Sequence, residues 1–380
     1  MREGDNVTPL ELFFDLIFVL ALTQCTALMA DDPSWAGLGR GLLILGLMWW
    51  GWVGYAWLTS VVDPEEGAVR LVIFGAMAGM LVVALCIPGA FGDDALLFAC
   101  AYAIVREGQI GLFLLASRGD ARLRQSVWGL AGGTTLGVTL LIVGALIGGT
   151  AQEVLWVVAL ALDMAEPFFF GSEGWKLAPS HFAERHGLIM IIALGESIVA
   201  IGVGAGAGVD AGVVTAAVLG IVVAAALWWL YFDVVARVAE HRLVNAEVGR
   251  EQNEIARDSY SYLHFPMVAG IVLIALGMKK TLADIEDPLK LIPTVALLGG
   301  TAAYLLAHVA FRYRNIHTLN RQRLVVAILA LCFIPVAADL PALVTVAILA
   351  AVSVALIVYE TVRFAEMRER IRHQMELGGS

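Results

Sequence analysis

Ionisable side chains stand inside long apolar stretches of this 380-residue sequence. Arg106 and Glu107 lie within the stretch 95–116, and Glu196 lies within 187–205. An ionisable group in hydrocarbon costs free energy and is retained mainly where it pairs with another group or lines water. These residues are therefore the first candidates for binding a solute or carrying a proton.

The candidate binding or coupling residues are polar or ionisable and fall within an apolar stretch or at one end of it. They are Glu11, Asp15, Gln24, Arg106, Glu107, Glu184, Arg185, Glu196, Asp233, Tyr262, His264 and His308. Glu11 and Asp15 share a helical face, as do Arg185 and Glu196, because residues four or eleven apart return to nearly the same side of a helix. Two like carboxylates one turn apart need a nearby cation, and we expect Arg106 to provide it.

Structural roles compete with these functional ones. Glu11 and Asp15 follow Pro9, and carboxylates in the first turn of a helix complement the helix dipole. Arg106 could form a buried ion pair that fixes helix packing without touching a solute, and Glu196 is one candidate partner for it. Both interpretations remain open from the sequence alone.

Signatures of enzymes and metal sites are missing from the sequence. It contains no HExxH, GxSxG or GxxxxGK[ST] motif, which are typical of metallohydrolases, acyl hydrolases and phosphate-binding loops. His181 and His186 are five residues apart, a spacing that does not place them on one helical face. The four cysteines form no CxxC pair. We therefore expect no metal, no cofactor and no enzymatic activity, with a lipid-modifying membrane enzyme as an alternative.

Membrane-spanning helices are the elements that must position the candidate residues. The chain is 60% hydrophobic and 15% charged, and its mean hydropathy is +0.82, which excludes a soluble domain. A helix needs about 20 apolar residues to cross a bilayer. Twelve such stretches occur, over 10–30, 37–60, 69–88, 95–116, 126–147, 152–170, 187–205, 211–236, 259–277, 290–311, 322–338 and 341–362. The predicted fold is all-α and polytopic, with about twelve transmembrane helices.

Basic residues indicate the orientation, because cytoplasmic loops hold the excess of Lys and Arg. Most of the 24 basic residues fall in alternate connections, on the side that also holds both termini. The N-terminus lacks the basic region and cleavage site of a signal peptide, so the first helix should be retained. We expect a multi-pass protein of the bacterial inner membrane with both termini in the cytoplasm. The net charge of −10 gives no reason to expect a nucleic-acid partner.

The second half of the chain repeats features of the first in the same order. Matching pairs are 16–24 with 188–196, Trp49-Trp50 with Trp228-Trp229, Ala78-Gly79 with Ala269-Gly270, and Ala101-Tyr102 with Ala303-Tyr304. Because each repeat has six spans, an even number, the two repeats should be parallel and related by an axis along the membrane normal. We expect repeats over 1–173 and 174–380 within one membrane domain. Gln24 then corresponds to Glu196, and Arg106 to His308.

The candidate residues cluster toward one side of the predicted membrane domain. Glu11 and Asp15 begin the first span, Asp233 ends the eighth, and His308 ends the tenth, all on the predicted cytoplasmic side. Polar groups on several helices at one depth can enclose water. We therefore predict a hydrated cavity that opens toward the cytoplasm.

Three long segments of the chain carry a family resemblance. They are ELFFDLIFVLALTQ at 11–24, HFAERHGLIMIIALGESIVAIG at 181–202 and RDSYSYLHFPMVAGIVLIALG at 257–277. In this order they resemble the bacterial low temperature requirement A (LtrA) family, over nearly the whole chain. The resemblance implies a multi-spanning bacterial membrane protein, in a family named for a growth phenotype in the cold, and it implies no particular reaction or substrate.

The first helix also resembles the FSDG-type first helix of potassium or proton channels built from six-helix units. Phe13, Asp15 and Phe18 fit that pattern, whereas Phe14 and Leu16 stand where its Ser and Gly would be. This resemblance implies a cation channel as an alternative function.

The predicted function is transport of a small solute or ion, coupled to protons through intramembrane carboxylates. The change Glu196→Gln should then abolish pH-dependent flux while leaving the fold intact. A cation channel and an intramembrane lipid-modifying enzyme are the alternatives. The expected partners are membrane lipid and an unidentified small solute or ion, and self-association into a homo-oligomer is left open.

Overall fold

The structure is a computed structural model that describes residues 6–169, 174–205 and 210–365. Within these ranges the chain is helical and has no β-strand, and one isolated antiparallel bridge joins Pro288 to Pro341. The prediction of an all-α fold is confirmed.

Helices α1 to α6 make up the first half of the chain, and helices α7 to α14 make up the second. The first six are α1 (Pro9–Asp31), α2 (Trp35–Val61), α3 (Gly67–Cys86), α4 (Ala95–Ala116), α5 (Ala121–Ile147) and α6 (Gly149–Phe169). The others are α7 (Pro179–Gly204), α8 (Ala211–Phe232), α9 (Val235–Val244), α10 (Arg250–Ile255), α11 (His264–Ala283), α12 (Leu291–Ile316), α13 (Arg321–Ala337) and α14 (Ala342–Arg363). A short 3-10 helix (Ile87–Gly89) follows α3, and a π-helical segment (Ala256–Tyr262) links α10 to α11.

Ten helical segments in the described part of the chain are long and apolar enough to cross a membrane. Each of the twelve predicted stretches overlaps a long helix, but α6 and α13 fall outside these ten. Helix α6 carries three carboxylates, Glu153, Asp163 and Glu166, and α13 has only 17 residues. A multi-pass membrane protein is confirmed, whereas the twelve predicted spans exceed the ten that helix length and apolarity support.

Local sequence signals explain where several helices begin. Thr8 caps α1 in a capping box with Glu11, and Pro9 occupies the first turn, where its missing N–H costs nothing. Asp120 and Asn320 cap α5 and α13 by accepting hydrogen bonds from backbone N–H groups of the first turn. Glu11 therefore has the helix-start role that the sequence left open, in addition to the contacts described below.

Helices that follow one another along the chain pack against each other in both halves. In the first half α3 contacts α4, α4 contacts α5 and α5 contacts α6, and in the second half α11, α12, α13 and α14 contact one another in the same succession. Helix α1 packs against α2 and α3, and α7 packs against α8 and α11. Helices α1 and α7 also pack directly on each other, so the two halves meet along these helices.

Buried ion pairs lie toward one end of the bundle, which we call the polar end. Glu11 and Arg185 stand near the starts of α1 and α7, and Asp163 stands near the end of α6. Arg323 begins α13 and pairs with Glu360 at the end of α14. Because consecutive helices alternate in direction, these starts and ends fall on the same side. This is the side on which the sequence predicted a polar cavity.

Candidate functional site

A cluster of buried charges joins α1 to α7 and α2, and we call it the α1–α7 cluster. Glu11 Oε1 lies 2.8 Å from His181 Nε2 and 3.5 Å from Arg185 Nη1. Arg185 also pairs with Asp15 and donates a 2.9 Å hydrogen bond to Thr59 Oγ1. All five residues are buried. The cluster therefore holds the two halves of the chain together at the polar end.

The cation that neutralises Glu11 and Asp15 is Arg185, so the expectation that Arg106 serves them is wrong. Helix α7 packs directly on α1, which brings Arg185 to both carboxylates. Trp52 completes the site because its indole N–H donates a 2.8 Å hydrogen bond to Asp15 Oδ1. A buried ion pair is tolerated when further hydrogen bonds satisfy its remaining polar atoms. Here Thr59 and Trp52 supply such bonds, while Asp15 Oδ2 and Arg185 Nε have none within the described residues.

Arg106 belongs to a second buried network, which ties α4 to α5 and α6. Its Nη2 lies 3.0 and 3.1 Å from the two carboxylate oxygens of Asp163. It also donates hydrogen bonds of 3.1 Å to Thr134 Oγ1 and 2.8 Å to Gln109 Oε1. The candidate pair of Arg106 with Glu196 is therefore wrong, because Asp163 on α6 occupies that role.

A cavity lies beside this second network, between α2, α4, α5, α6, α10 and the π-helical segment. Its volume is about 90 Å³, which gives room for several water molecules. The charged and amide groups that line it are Arg106, Gln109, Glu166, Asn253 and Arg257. This cavity lies at the polar end, within the first half of the chain, and is closed by a segment of the second half; a hydrated cavity open toward the cytoplasm stays a prediction.

Aromatic rings form much of the remaining wall of the cavity. Trp50 and Trp57 come from α2, Phe113 comes from α4, and Trp175 comes from the connection before α7. The rings brace one another: the centroids of Trp57 and Trp175 are 5.9 Å apart, and those of Phe113 and Trp175 are 5.0 Å apart. Such a lining of apolar rings with a few polar groups is typical of sites for small molecules.

Glu166 differs from the other charged residues of the cavity because no side chain of the described residues pairs with it. It is 4% exposed, and its carboxylate lies against the backbone of Gly133 and Thr134 on α5 without a well-aligned hydrogen bond. Helix α5 makes room for the carboxylate at Gly133, where a Cβ atom would collide with Glu166. A buried carboxylate is normally hydrogen-bonded, so this position requires a functional or structural explanation.

The π-helical segment supplies one wall of the cavity through Arg257 and Ser261. Trp57 Nε1 donates a 2.9 Å hydrogen bond to Ser261 Oγ, and Trp49 Nε1 donates a 2.8 Å hydrogen bond to the Ser261 carbonyl. π-Helical turns are rare and occur often at functional sites. Here the turn connects a wall of the cavity in the first half to α11 in the second.

A third buried network lies in the second half, between α12, α13 and α14. Arg323 pairs with Glu360 through contacts of 2.8 and 3.0 Å. It also donates a 2.8 Å hydrogen bond to His308 Nδ1 and a 3.1 Å hydrogen bond to the Leu230 carbonyl. The candidate residue His308 is therefore a buried partner of Arg323 rather than part of the cavity.

The other buried candidates have partners outside the cavity. Glu196 accepts a hydrogen bond from Thr23 Oγ1, which links α7 to α1. His264 Nε2 lies 2.8 Å from the Tyr231 hydroxyl. Tyr262 is half-buried and donates its hydroxyl hydrogen to the carbonyl of Met164, while its ring packs 5.2 Å from Trp50. Tyr262 thus stands directly behind the cavity wall.

The remaining four candidates lie nearer the surface of the bundle. Glu107 is exposed and accepts a 3.0 Å hydrogen bond from Thr135, and Glu184 is exposed and accepts one of 3.0 Å from the backbone N–H of Val7. Gln24 and Asp233 are half-buried. The structure does not bring these four residues together with Glu166.

Asp163 and Glu166 are not among the candidate residues that the sequence predicted. Their spacing of three on one helix was the available signal, because it puts both carboxylates on one face. Arg257, Asn253 and Trp175, which also line the cavity, are not among the predicted residues either. No group of three or more His, Cys, Asp or Glu within the described residues could hold a metal ion.

Comparison with known proteins identifies the family. The model of the bacterial low temperature requirement A protein (LtrA) family matches residues 6–358. The chain is 32% identical over 286 residues to the uncharacterized protein RA0937 of Rhizobium meliloti (strain 1021), a match that covers 72% of this chain and 69% of that protein. No solved structure matches the chain significantly. The chain therefore belongs to the bacterial low temperature requirement A family.

Proposed function

We propose that the chain is a transporter of a small solute, coupled to protons, and that the solute binds in the cavity beside Glu166. The observation that carries this proposal is a buried carboxylate without an ion-pair partner, placed in the wall of a cavity within a membrane protein. Intramembrane carboxylates that face a cavity are typical of proton relays and transport pathways.

The cavity suits a solute with both apolar and polar parts. Trp50, Trp57 and Trp175 offer flat apolar surfaces, while Gln109 and Asn253 offer amide groups. Aromatic walls supply contact area, and a few placed polar groups fix the orientation of a ligand. Arg106 is held by Asp163, so it shapes the cavity without being free to move.

Proton coupling follows from the chemistry of the Glu166 carboxyl group. An ionised carboxylate only accepts hydrogen bonds, whereas a protonated one also donates. Gaining or losing one proton therefore changes both the charge of the cavity and the hydrogen bonds it can offer. Glu196 remains a second proposed proton carrier, at a separate position between α1 and α7.

We further propose twelve spans arranged as two parallel repeats of six helices. Helix α6 can cross the membrane because Glu153 pairs with Arg40, Asp163 pairs with Arg106, and Glu166 faces the cavity. Each carboxylate of α6 is thereby kept from lipid. The arrangement would place the cavity on the cytoplasmic side of the bacterial inner membrane, the side of both termini.

A pair of equivalent hydrogen bonds supports the repeat. Tyr102 on α4 donates to the Leu47 carbonyl on α2 at 2.9 Å, and Tyr304 on α12 donates to the Leu227 carbonyl on α8 at 2.7 Å. The two tyrosines are residues that the sequence comparison aligned. Helices α2 and α8, and α4 and α12, then occupy corresponding places, with α1 and α7 at the interface between repeats.

The contacts of the first helix favour a transporter over a cation channel. Asp15 is neutralised by Arg185 and hydrogen-bonded to Trp52, and Phe18 is buried. These side chains are engaged in packing the halves together, whereas a channel requires polar groups that face a continuous pore.

The test uses purified protein in liposomes that contain a pH-sensitive dye. A proton gradient is imposed, and tetramethylammonium, methanesulfonate or erythritol is added outside, so that the solutes carry charges of +1, −1 and 0. We expect one class of solute to change the proton flux in wild-type vesicles and not in vesicles with Glu166→Gln. Glu196→Gln is measured in parallel to locate the coupling carboxylate.

Glu153→Gln is the matched control, because it makes the same change on the same helix at the opposite end from the cavity. Flux coupled to a solute that survives Glu166→Gln would refute the assignment of Glu166. A steady ionic current without solute exchange would favour the channel, and a chemically altered lipid would favour the enzyme.

A further inference from the structure

The cavity also indicates which class of solute it receives, an inference that rests on the proposed function and extends it. Three charged residues line the cavity: Arg106, Glu166 and Arg257. Arg106 pairs with Asp163, and Arg257 pairs with Asp258. Glu166 is the charged residue of this lining that has no ion-pair partner among the described residues.

Arg257 is held in the cavity wall by three contacts. Its Nε lies 2.7 Å from Asp258 Oδ1, and its Nη1 donates a 3.4 Å hydrogen bond to the Pro167 carbonyl. Its guanidinium carbon lies 4.2 Å from the centroid of the Phe168 ring. Arg314 shares the carboxylate of Asp258 at 2.9 Å but does not line the cavity. Arg257 is thus fixed as part of the wall.

The aromatic lining, like Glu166, favours a ligand with a positive charge. The face of an indole ring carries negative electrostatic potential and attracts ammonium groups. Trp50, Trp57 and Trp175 stand around the cavity with Glu166 at its α6 side. Aromatic rings and a carboxylate favour an organic cation, and the two arginines that also line the cavity are paired with Asp163 and Asp258.

We infer that the cavity binds a small organic cation, an amine or a quaternary ammonium ion, whose positive charge is neutralised by Glu166. The cation and a proton then compete for the same carboxylate, so that one replaces the other. Exchange of one cation for one proton leaves the charge of the cavity unchanged. The chain would therefore act as an antiporter of protons and organic cations.

Other ionisable groups around Glu166 could also contribute to the pH dependence of cation binding. Arg106 faces it from α4, Asp163 lies on its own helix, and Tyr262 and Arg257 belong to the π-helical segment. Helices α2 and α5 contribute no ionisable side chain to the lining of the cavity. Among these groups Glu166 is the carboxylate without an ion-pair partner, and it should dominate the pH dependence of cation binding.

Calorimetry on the full chain in detergent tests this inference without requiring transport. The ligands are tetramethylammonium, whose charge does not depend on pH, tert-butanol, which has a similar shape and no charge, and methanesulfonate. We expect wild-type protein to bind tetramethylammonium at least tenfold more tightly than the other two. We also expect a lower Kd at pH 8 than at pH 6, because fewer protons compete.

Glu166→Gln should weaken tetramethylammonium binding at least tenfold and abolish its dependence on pH. Trp57→Leu should weaken binding severalfold while keeping that dependence, because it removes an aromatic face and leaves the carboxylate. Glu153→Gln should bind like the wild type. Helix content and a single peak in size-exclusion chromatography show that each variant is folded.

Two outcomes of the binding experiment would overturn the inference. One is preferential binding of methanesulfonate or tert-butanol, and the other is tetramethylammonium binding that persists unchanged in a folded Glu166→Gln variant. Solute-coupled proton flux with no response to tetramethylammonium would refute the cation and keep the transporter. Tight tetramethylammonium binding without any flux would refute the transporter and keep the binding site.

Discussion

The α1–α7 cluster provides a quantitative test of how the two halves of the bundle are held together. Arg185 pairs with both Glu11 and Asp15 and donates a hydrogen bond to Thr59. The change Arg185→Met keeps most of the side-chain volume and removes the charge. It leaves two buried carboxylates with His181 as the nearest remaining donor to Glu11. We expect this variant to be strongly destabilised.

The expected loss can be estimated from the burial of the cluster. Arg185 is 1% exposed, and Glu11 and Asp15 are 1% and 0% exposed. Breaking a buried pair by removing one partner costs roughly 3–5 kcal/mol, because the other charge stays buried without compensation. A loss of about 3 kcal/mol shifts the folding equilibrium more than a hundredfold. Equilibrium unfolding in mixed detergent micelles measures it directly.

A matched control separates this effect from the loss of any arginine. Arg40 also pairs with a carboxylate, Glu153, at 2.6 Å, but both side chains are about one-third exposed. An exposed pair contributes about 0–1 kcal/mol, so Arg40→Met should cost no more than that. If Arg185→Met costs no more than Arg40→Met, the cluster does not hold the halves together.

Removing the charges of Glu11 and Asp15 as well provides the complementary test. Combining Arg185→Met with Glu11→Gln and Asp15→Asn converts an uncompensated ionic cluster into a neutral one. We expect the triple variant to be more stable than Arg185→Met alone, since replacing a whole buried ion cluster is far less costly than breaking it. A triple variant that is less stable than the single one would contradict this reasoning.

Two further predictions concern packing and helix capping. A Cβ atom at Gly270 would lie 2.6 Å from the Gly300 carbonyl oxygen. The change Gly270→Val should therefore force α11 and α12 apart and lower the free energy of unfolding by about 1–3 kcal/mol. An unchanged melting temperature would contradict this. Backbone N–H groups of α5 and Lys176 lower the pKa of Asp120 below its ordinary value of 3.8. The stabilisation by this cap is therefore present above pH 3.8 and is lost as the pH falls through the lower pKa of the folded state. The difference in melting temperature between wild type and Asp120→Ala should accordingly be present at pH 7 and vanish in strong acid.

The sequence by itself determined the class of protein, the helices and the polar end. Hydropathy and helix length depend on neighbouring residues along one chain, and the predicted stretch 95–116 coincides with α4 (Ala95–Ala116). The pairing of Glu11 with Asp15 on one face also followed from helix geometry alone. These features required no knowledge of which helices touch.

Only the tertiary structure decided which charges meet and where the cavity lies. Arg185 rather than Arg106 neutralises Glu11 and Asp15, because α7 packs on α1 while Arg106 is held by Asp163. An apolar helix surface packs about as well against lipid as against another helix, so hydropathy does not encode helix neighbours. The cavity beside Glu166 needs four helices of the first half together with α10 and a π-helical turn of the second half. No local pattern in the sequence specifies that arrangement.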